Sequence, residues 1–98
     1  MTRTPIMAGN WKMNIDHVEA TGLVEKIHYT LVDKDWDPKK SECVLCVPFT
    51  DIRTVRTLLD GDRIPFGLGA QNVSQHDNGA FTGEISTSML TKLAVQYV

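Results

Sequence analysis

The sequence of 98 residues lacks any apolar run close to the roughly 18 residues that a membrane-spanning helix requires. Its first residues, 1–5, lead directly into a candidate strand and lack the apolar region of a signal peptide. The sequence is not basic, since its 10 lysines and arginines are outnumbered by 12 aspartates and glutamates. The basic residues also form no stripe of the kind that binds nucleic acid. We therefore expect a cytoplasmic protein that binds neither a membrane nor nucleic acid.

Cysteine is scarce, and its two residues, Cys43 and Cys46, have the C-x-x-C spacing of a redox pair or of half a zinc site. The histidines show no spacing that would complete a zinc site. A redox pair usually begins a helix, whereas Cys43 and Cys46 lie within an apolar, strand-like segment. We expect both thiols to be inert, on opposite faces of a buried strand, and we predict no metal site.

Nucleotide-binding motifs are also missing. The sequence contains no Walker-type phosphate loop. Residues 67–72 (GLGAQN) begin like a dinucleotide fingerprint, but Asn72 stands where the third glycine belongs, and a loop follows instead of a helix. We therefore reject both nucleotide-binding motifs.

The pattern of apolar residues alternates between strand-like and helix-like segments. Short apolar segments predict strands at 4–9, 43–47, 64–70 and 94–98. Apolar residues at helical spacing predict a helix in each interval between them. This β-α-β-α-β-α-β order implies an α/β fold with parallel strands and right-handed crossovers. No linker interrupts it, so residues 1–98 form a single unit.

Polar residues at the expected helix ends provide candidate caps. Asp16 and Glu19 have the spacing of a capping box at the start of the first helix. Thr50 is a candidate cap for the second helix, and Gly61 is a natural stop. Ser86 or Thr87 can cap the third helix.

Asn10 and Lys12 are the first candidates for a functional site. They follow the first predicted strand and precede the first predicted helix. The carboxyl ends of parallel strands are where ligands bind in α/β folds. An amide beside an ammonium suits a small anion, or an oxygen that gains negative charge during a reaction.

The polar segment 71–84 is the second informative stretch, because loops of this length in compact domains are usually functional or disordered. Phe81 near its tip argues against disorder, since an exposed aromatic side chain favours a pocket on a partner chain. His76 lies in the same loop and is a further candidate for an interface.

Several segments together resemble the triose-phosphate isomerase family. They are 8–14 (AGNWKMN), 47–51 (VPFTD), 69–74 (GAQNVS) and 79–84 (GAFTGE), and they occur in the family's order. The resemblance implies the N-terminal part of a (β/α)8 TIM barrel, whose complete form has about 250 residues. It also implies interconversion of dihydroxyacetone phosphate and glyceraldehyde 3-phosphate through an enediolate, without a metal or organic cofactor.

The resemblance also assigns roles to individual residues. Lys12 would be catalytic and, together with Asn10, would bind the triose phosphate, because its ammonium opposes negative charge on the phosphate and on the enediolate. Thr82 would lie at the tip of a loop that enters the neighbouring subunit of a homodimer. The residues implied at this dimer interface are Met13, Gln71, Asn72, Phe81, Thr82, Gly83 and Glu84.

One departure from the family concerns length. The family's catalytic histidine, in a Gly-His-Ser-Glu motif, and its glutamate base follow the part that this sequence matches. We therefore expect the chain to belong to a longer enzyme, to be inactive alone, and to be marginally stable or unfolded when isolated, because open strand edges remain. A non-catalytic half-barrel used for assembly is the alternative. A doubly wound domain is disfavoured by the long loop after the third strand.

Overall fold

The computed structural model describes residues 3–98, and within them strands and helices alternate. The elements are β1 (Ile6–Asn10), α1 (His17–Asp33), β2 (Glu42–Val47), α2 (Phe49–Gly61), β3 (Gly67–Ala70) and α3 (Thr87–Lys92). β1 pairs with β2, and β2 pairs with β3, both in parallel. The predicted α/β order with parallel strands is thereby confirmed. In the described part of the chain, no helix combines the length and the apolarity that crossing a membrane demands.

Two of the predicted helix starts are confirmed by their capping bonds. Oδ1 of Asp16 accepts from the Glu19 N–H at 2.8 Å, and Oε1 of Glu19 accepts from the Asp16 N–H at 3.4 Å. The bond from the Glu19 backbone is the largest cause of a lowered pKa of Asp16. At the start of α3, Oγ of Ser86 accepts from the Met89 N–H at 3.3 Å. Each cap satisfies helix-terminal N–H groups that would otherwise lack a partner.

The predicted cap of α2 is wrong. The helix begins at Phe49, its N-cap is Pro48, and no side chain caps it. Thr50 lies inside the first turn, where its hydroxyl donates to Oδ1 of the neighbouring Asp51 at 3.3 Å. A hydroxyl two positions after the N-cap cannot reach the terminal N–H groups, because capping requires the residue just before the helix. The predicted stop at Gly61 is confirmed.

The third strand is shorter than predicted, because its regular pairing begins at Gly67 rather than at residue 64. Pro65 has no N–H to donate to a neighbouring strand. The Phe66 N–H donates locally to the Ile64 carbonyl at 2.9 Å, so it cannot pair across the sheet. The first strand is displaced slightly from its predicted bounds and ends at Asn10.

The predicted fourth strand at 94–98 is reduced to a single parallel bridge between Gly69 and Tyr97. Ala94, just after α3, adopts a left-handed backbone with φ of 55° and therefore cannot extend a strand. Beyond it, the Gln96 N–H donates to the Leu68 carbonyl and the Tyr97 carbonyl accepts from Ala70, both at 2.9 Å. The segment follows β3 in the predicted direction but pairs only briefly.

The core lies between one face of the sheet and the helices. Alternate residues of β2, Cys43, Leu45 and Val47, belong to this core, and Val47 is completely buried. By contrast, all residues of β1 are exposed. Fully burying a valine or leucine side chain stabilises a fold by about 1.5–3 kcal/mol, so β2 contributes most of the sheet's share of the core. The buried residues of the core cluster are Trp11, Ala20, Val24, Cys43, Leu45, Val47, Ile52, Val55, Leu59, Ile64, Phe66, Leu68, Ala70 and Leu90.

The two cysteines are free thiols on opposite faces of β2. Burial raises the pKa of the Cys43 thiol, which lowers its reactivity. Sγ of Cys46 packs so close to Gly69 that a Cβ added there would lie 2.7 Å from it. This close approach explains why position 69 in β3 is a glycine. Between residues 3 and 98, no three side chains of histidine, cysteine, aspartate or glutamate are grouped as metal ligands would be.

Candidate active site

The carboxyl ends of the strands meet at one edge of the sheet. Asn10, the last residue of β1, lies opposite Cys46 of β2, and Cys46 lies opposite Gly69 of β3. Gln71 directly follows β3. The first loop, defined here as residues 11–16, leaves β1 at the same edge. The structure therefore brings Asn10, the first loop and Gln71 together.

The side-chain amide of Gln71 connects the ends of all these strands. Its Nε2 donates to the Lys12 carbonyl at 2.8 Å and to the Cys46 carbonyl at 3.1 Å, and it lies 3.4 Å from Oδ1 of Asn10. An amide nitrogen has only two hydrogens, so the longest contact shares a hydrogen with a shorter one. The sequence indicated Gln71 only as the base of a dimer loop and missed that it ties the first loop to the sheet. Only its position directly after a predicted strand hinted at this role.

The backbone of Lys12 is held in an unusual conformation. Its φ of 57° is left-handed, which costs a residue with a side chain roughly 1–2 kcal/mol and persists only where the surroundings enforce it. The Lys12 N–H donates to Oδ1 of Asn10 at 2.8 Å, and its carbonyl accepts from Gln71. The side chain is exposed, and its ammonium forms no salt bridge with any residue from 3 to 98. The ammonium is therefore available to a ligand.

Hydrogen bonding determines which end of the Asn10 amide faces outward. Oδ1 accepts from the Lys12 backbone and lies within reach of Gln71. Nδ2 forms no hydrogen bond with another residue of the described range 3–98. It therefore remains a donor at the end of β1, two residues before Lys12. Two such donors, one of them charged, can stabilise an anion or a developing oxyanion.

Trp11 anchors the first loop to the core. Trp11 is buried, and its backbone N–H donates to the Cys46 carbonyl at 3.0 Å. Its backbone carbonyl accepts from Nδ2 of Asn14, also at 3.0 Å. Met13, between them, is 95% exposed. An exposed apolar side chain on a loop held by hydrogen bonds favours contact with the surface of another molecule, because that contact removes it from water. This exposure agrees with the predicted interface role of Met13, which stays a prediction.

The second loop, residues 71–84, is closed mainly on itself. At its base, the Ser74 N–H donates to the Ile85 carbonyl at 2.8 Å. Near its tip, the Glu84 N–H donates to the Phe81 carbonyl at 3.0 Å. The rings of His76 and Phe81 stack with their centroids 3.9 Å apart and their planes 1° from parallel. The loop is thus an ordered element, as the aromatic residue at its tip indicated.

The predicted interface residues at the tip, 81–84, are all exposed. Across residues 3–98, no hydrogen bond joins them to Asn10 or Lys12. Asn72, at the base of the loop, is also exposed, and its Oδ1 accepts from the Val73 N–H at 2.8 Å. The tip therefore does not complete the site within the same chain.

Asp51, in the first turn of α2, is a carboxyl group whose burial the sequence did not indicate. It is completely buried, and its Oδ2 has no hydrogen-bond partner within residues 3–98. Burial is the largest cause of its raised pKa, and Asp16 raises the pKa further. The Thr50 hydroxyl and His17 lower it. No periodicity in the sequence signals the missing partner, because burial depends on how α2 packs against the first loop and α1.

Comparison with known proteins gives a consistent result. The family model described as triosephosphate isomerase matches residues 5–98. The triosephosphate isomerase of Cutibacterium acnes is 56% identical over 98 residues, which are 100% of this chain and 38% of that protein. That of Streptomyces coelicolor is 55% identical over 97 residues, 99% of this chain and 37% of the relative. That of Mycobacterium avium is 51% identical over 98 residues, 100% of this chain and 37% of the relative. The chain thus spans less than two fifths of these relatives.

Proposed function

The chain belongs to the triosephosphate isomerase family, and from this premise we propose that it supplies the first part of a (β/α)8 barrel that interconverts dihydroxyacetone phosphate and glyceraldehyde 3-phosphate. The activity is proposed for a complete barrel, because this chain spans only 38% of its Cutibacterium acnes relative. The observation that supports the proposal most strongly is the bridge from Gln71 to the carbonyls of Lys12 and Cys46. It holds the Lys12 backbone at the edge where this fold binds ligands.

The proposed role of Lys12 is electrostatic. Its ammonium would oppose the charge of the substrate's phosphate and of the enediolate oxygen, while Nδ2 of Asn10 would donate a hydrogen bond beside it. Two unit charges 4 Å apart attract by about 1 kcal/mol in bulk water and by about 4 kcal/mol at an effective dielectric constant near 20. The exposed ammonium therefore acts more strongly once other parts of the protein exclude water from it.

We assign no proton-transfer step to any residue of this chain. The family's histidine and glutamate follow the matched segments, and Lys12 and Asn10 account only for binding and charge stabilisation. This chain alone is therefore expected to be inactive. The proposal requires no metal and no organic cofactor.

The proposed partner is a second copy of the same chain, contacted through the second loop and Met13. The support is the combination of an ordered loop with an exposed tip, where Phe81 is 43% exposed, and the fully projecting Met13. A loop from a partner would also shield the first loop from water. A cytoplasmic location stays a prediction.

A chimera tests the proposal directly. In it, this chain replaces the matching part of the Cutibacterium acnes relative, and the remainder of that protein completes the barrel. We expect the chimera to catalyse triose-phosphate isomerisation, measured by a coupled assay. Lys12→Ala should lower kcat/KM by about a thousandfold, since removing one transition-state donor typically costs a factor of about 10²–10³ and Lys12 also carries a charge.

Lys26→Ala is the matched control, because Lys26 is also exposed but lies in α1. It should leave kcat/KM unchanged within about twofold. Near-normal turnover of the Lys12→Ala chimera would refute the role of Lys12. A folded chimera without isomerase activity would favour the non-catalytic assembly module.

A further inference from the structure

The stack of His76 on Phe81 is the most strongly organised side-chain contact of the second loop. The two rings are nearly parallel, at 1°, with centroids 3.9 Å apart, although Phe81 remains 43% exposed. A loop of polar residues at the surface has little apolar contact with which to hold a defined shape. The stack therefore supplies a contact that the composition of the loop otherwise lacks.

The backbone around the two rings is shaped to permit the stack. Gly79 adopts φ of 128°, and a Cβ added there would lie 2.8 Å from Cε2 of Phe81. On the other side, the His76 N–H donates to Oγ of the buried Ser74 at 3.1 Å. His76 is thus joined to the base of the loop, and Phe81 rests on His76.

Packing against an apolar surface beneath the loop does not account for the position of Phe81. A cavity of about 200 Å³ lies between the loop and the start of α3, with Ser86 and Met89 in its lining. Met89 is itself 54% exposed. Packing beneath the loop is therefore incomplete, and the stacked imidazole ring supports the phenyl ring.

We propose that His76 is a positioning residue for self-association, because its ring braces Phe81 and keeps the tip 81–84 in its docking shape before a second copy of the chain binds. The inference rests on the proposed dimer. A surface that is ordered before binding loses less conformational freedom on association. If only a fraction of the unbound loops has the competent shape, the apparent dissociation constant rises by the inverse of that fraction.

The test compares variants of the chimera at position 76. His76→Ala removes the ring, whereas His76→Phe keeps an aromatic ring that can stack. We expect His76→Ala to raise the dimer dissociation constant about tenfold (about 1.4 kcal/mol), measured by analytical ultracentrifugation. We expect His76→Phe and the control Lys26→Ala, at an exposed residue of α1, to stay within about twofold of the parent. The kcat measured at concentrations where each variant is dimeric should not change.

Hydrogen exchange provides a second readout that does not depend on dimerisation when it is measured at concentrations where parent and variants are monomeric. The Glu84 N–H, which donates to the Phe81 carbonyl, should exchange about tenfold faster in His76→Ala and at the parent rate in His76→Phe. Unchanged exchange in His76→Ala, or equal weakening of the dimer by both substitutions, overturns the bracing role. A parent chimera that stays monomeric overturns the proposed dimer and with it the association role of His76, whereas the exchange rates still decide whether His76 braces the loop.

Discussion

The first loop and the second loop are stabilised in different ways. The first loop is bonded to residues far away in the sequence: Gln71, which directly follows β3 at the base of the second loop, donates to the Lys12 carbonyl 59 positions away. Beyond Gln71, the second loop is stabilised mainly by contacts among its own residues, such as the stack of His76 on Phe81. A group that must act at one place needs a rigid scaffold, whereas an element that docks on another molecule needs a defined shape of its own.

This comparison predicts that loss of the Gln71 hydrogen bonds that hold the first loop lowers the activity of the chimera more than damage to the second loop. Gln71→Leu keeps a similar volume but removes the donor to the Lys12 and Cys46 carbonyls. With about 0.5–1.5 kcal/mol for each lost hydrogen bond, we expect kcat/KM of the chimera to fall by roughly 10- to 100-fold. Gln75→Leu, an exposed glutamine of the second loop, is the control for steady-state kinetics. A Gln71→Leu enzyme within threefold of the parent would show that the anchor does not position Lys12.

Damage to the second loop should loosen that loop and spare the chemistry. Gly79→Ala places a Cβ against the Phe81 ring at a backbone φ of 128°, whereas Gly83→Ala, at φ of 90°, meets open space. Both substitutions cost backbone strain of about 1–3 kcal/mol, but only the first also displaces the ring. We expect loop amides to exchange faster in Gly79→Ala than in Gly83→Ala. Loss of kcat in the assembled Gly79→Ala dimer, comparable with that of Gln71→Leu, would contradict the separation of the two loops.

The smallest expected effect concerns the buried carboxyl group beside the first loop. Burial raises the pKa of Asp51, so between its unfolded and folded pKa values the folded chain retains a proton that the unfolded chain has released. The contribution of Asp51 to stability therefore decreases as pH rises through this interval, and it is least unfavourable in acid. Asp51→Asn should raise the free energy of unfolding of the chimera by about 1 kcal/mol near pH 7.

This gain should shrink towards zero below about pH 3, where the carboxyl group is largely protonated in both states. Denaturant unfolding at the two pH values measures it. Asp77→Asn, which changes an exposed carboxylate of the second loop, should change stability little at either pH. A gain for Asp51→Asn that is the same at both pH values would mean that the charge of Asp51 is not what destabilises the fold.

Local patterns predicted the elements well, because their causes lie within a few residues. The capping box of Asp16 and Glu19 and the stop at Gly61 were predicted from adjacent sequence, and Ser86 is one of the two caps predicted for the third helix. Thr50 was misassigned because a cap works at only one position, and helix boundaries are harder to predict than helices. The fourth strand was overestimated because pairing also depends on the backbone of Ala94.

The sequence predicted which residues form the candidate site but not how these residues are arranged in space. Asn10 and Lys12 were identified from their position after a strand, and the structure places Asn10 at the expected edge with Lys12 just beyond it. The left-handed backbone of Lys12 and the triple contact of Gln71 had no local signal. Their cause is the register of three parallel strands, which a single stretch of sequence does not contain.

The amino-acid order alone determined which segments become helices and strands, that the strands run parallel, and which family the chain resembles. These properties follow from apolar periodicity, capping groups and short motifs, whose physical causes act over neighbouring residues. Only the tertiary structure decided that one glutamine holds the lysine loop, that Asp51 is buried without a full set of partners, and that His76 lies on Phe81. The first two depend on groups far apart in the sequence that only folding brings together, and the third depends on the backbone shape of a loop without periodicity.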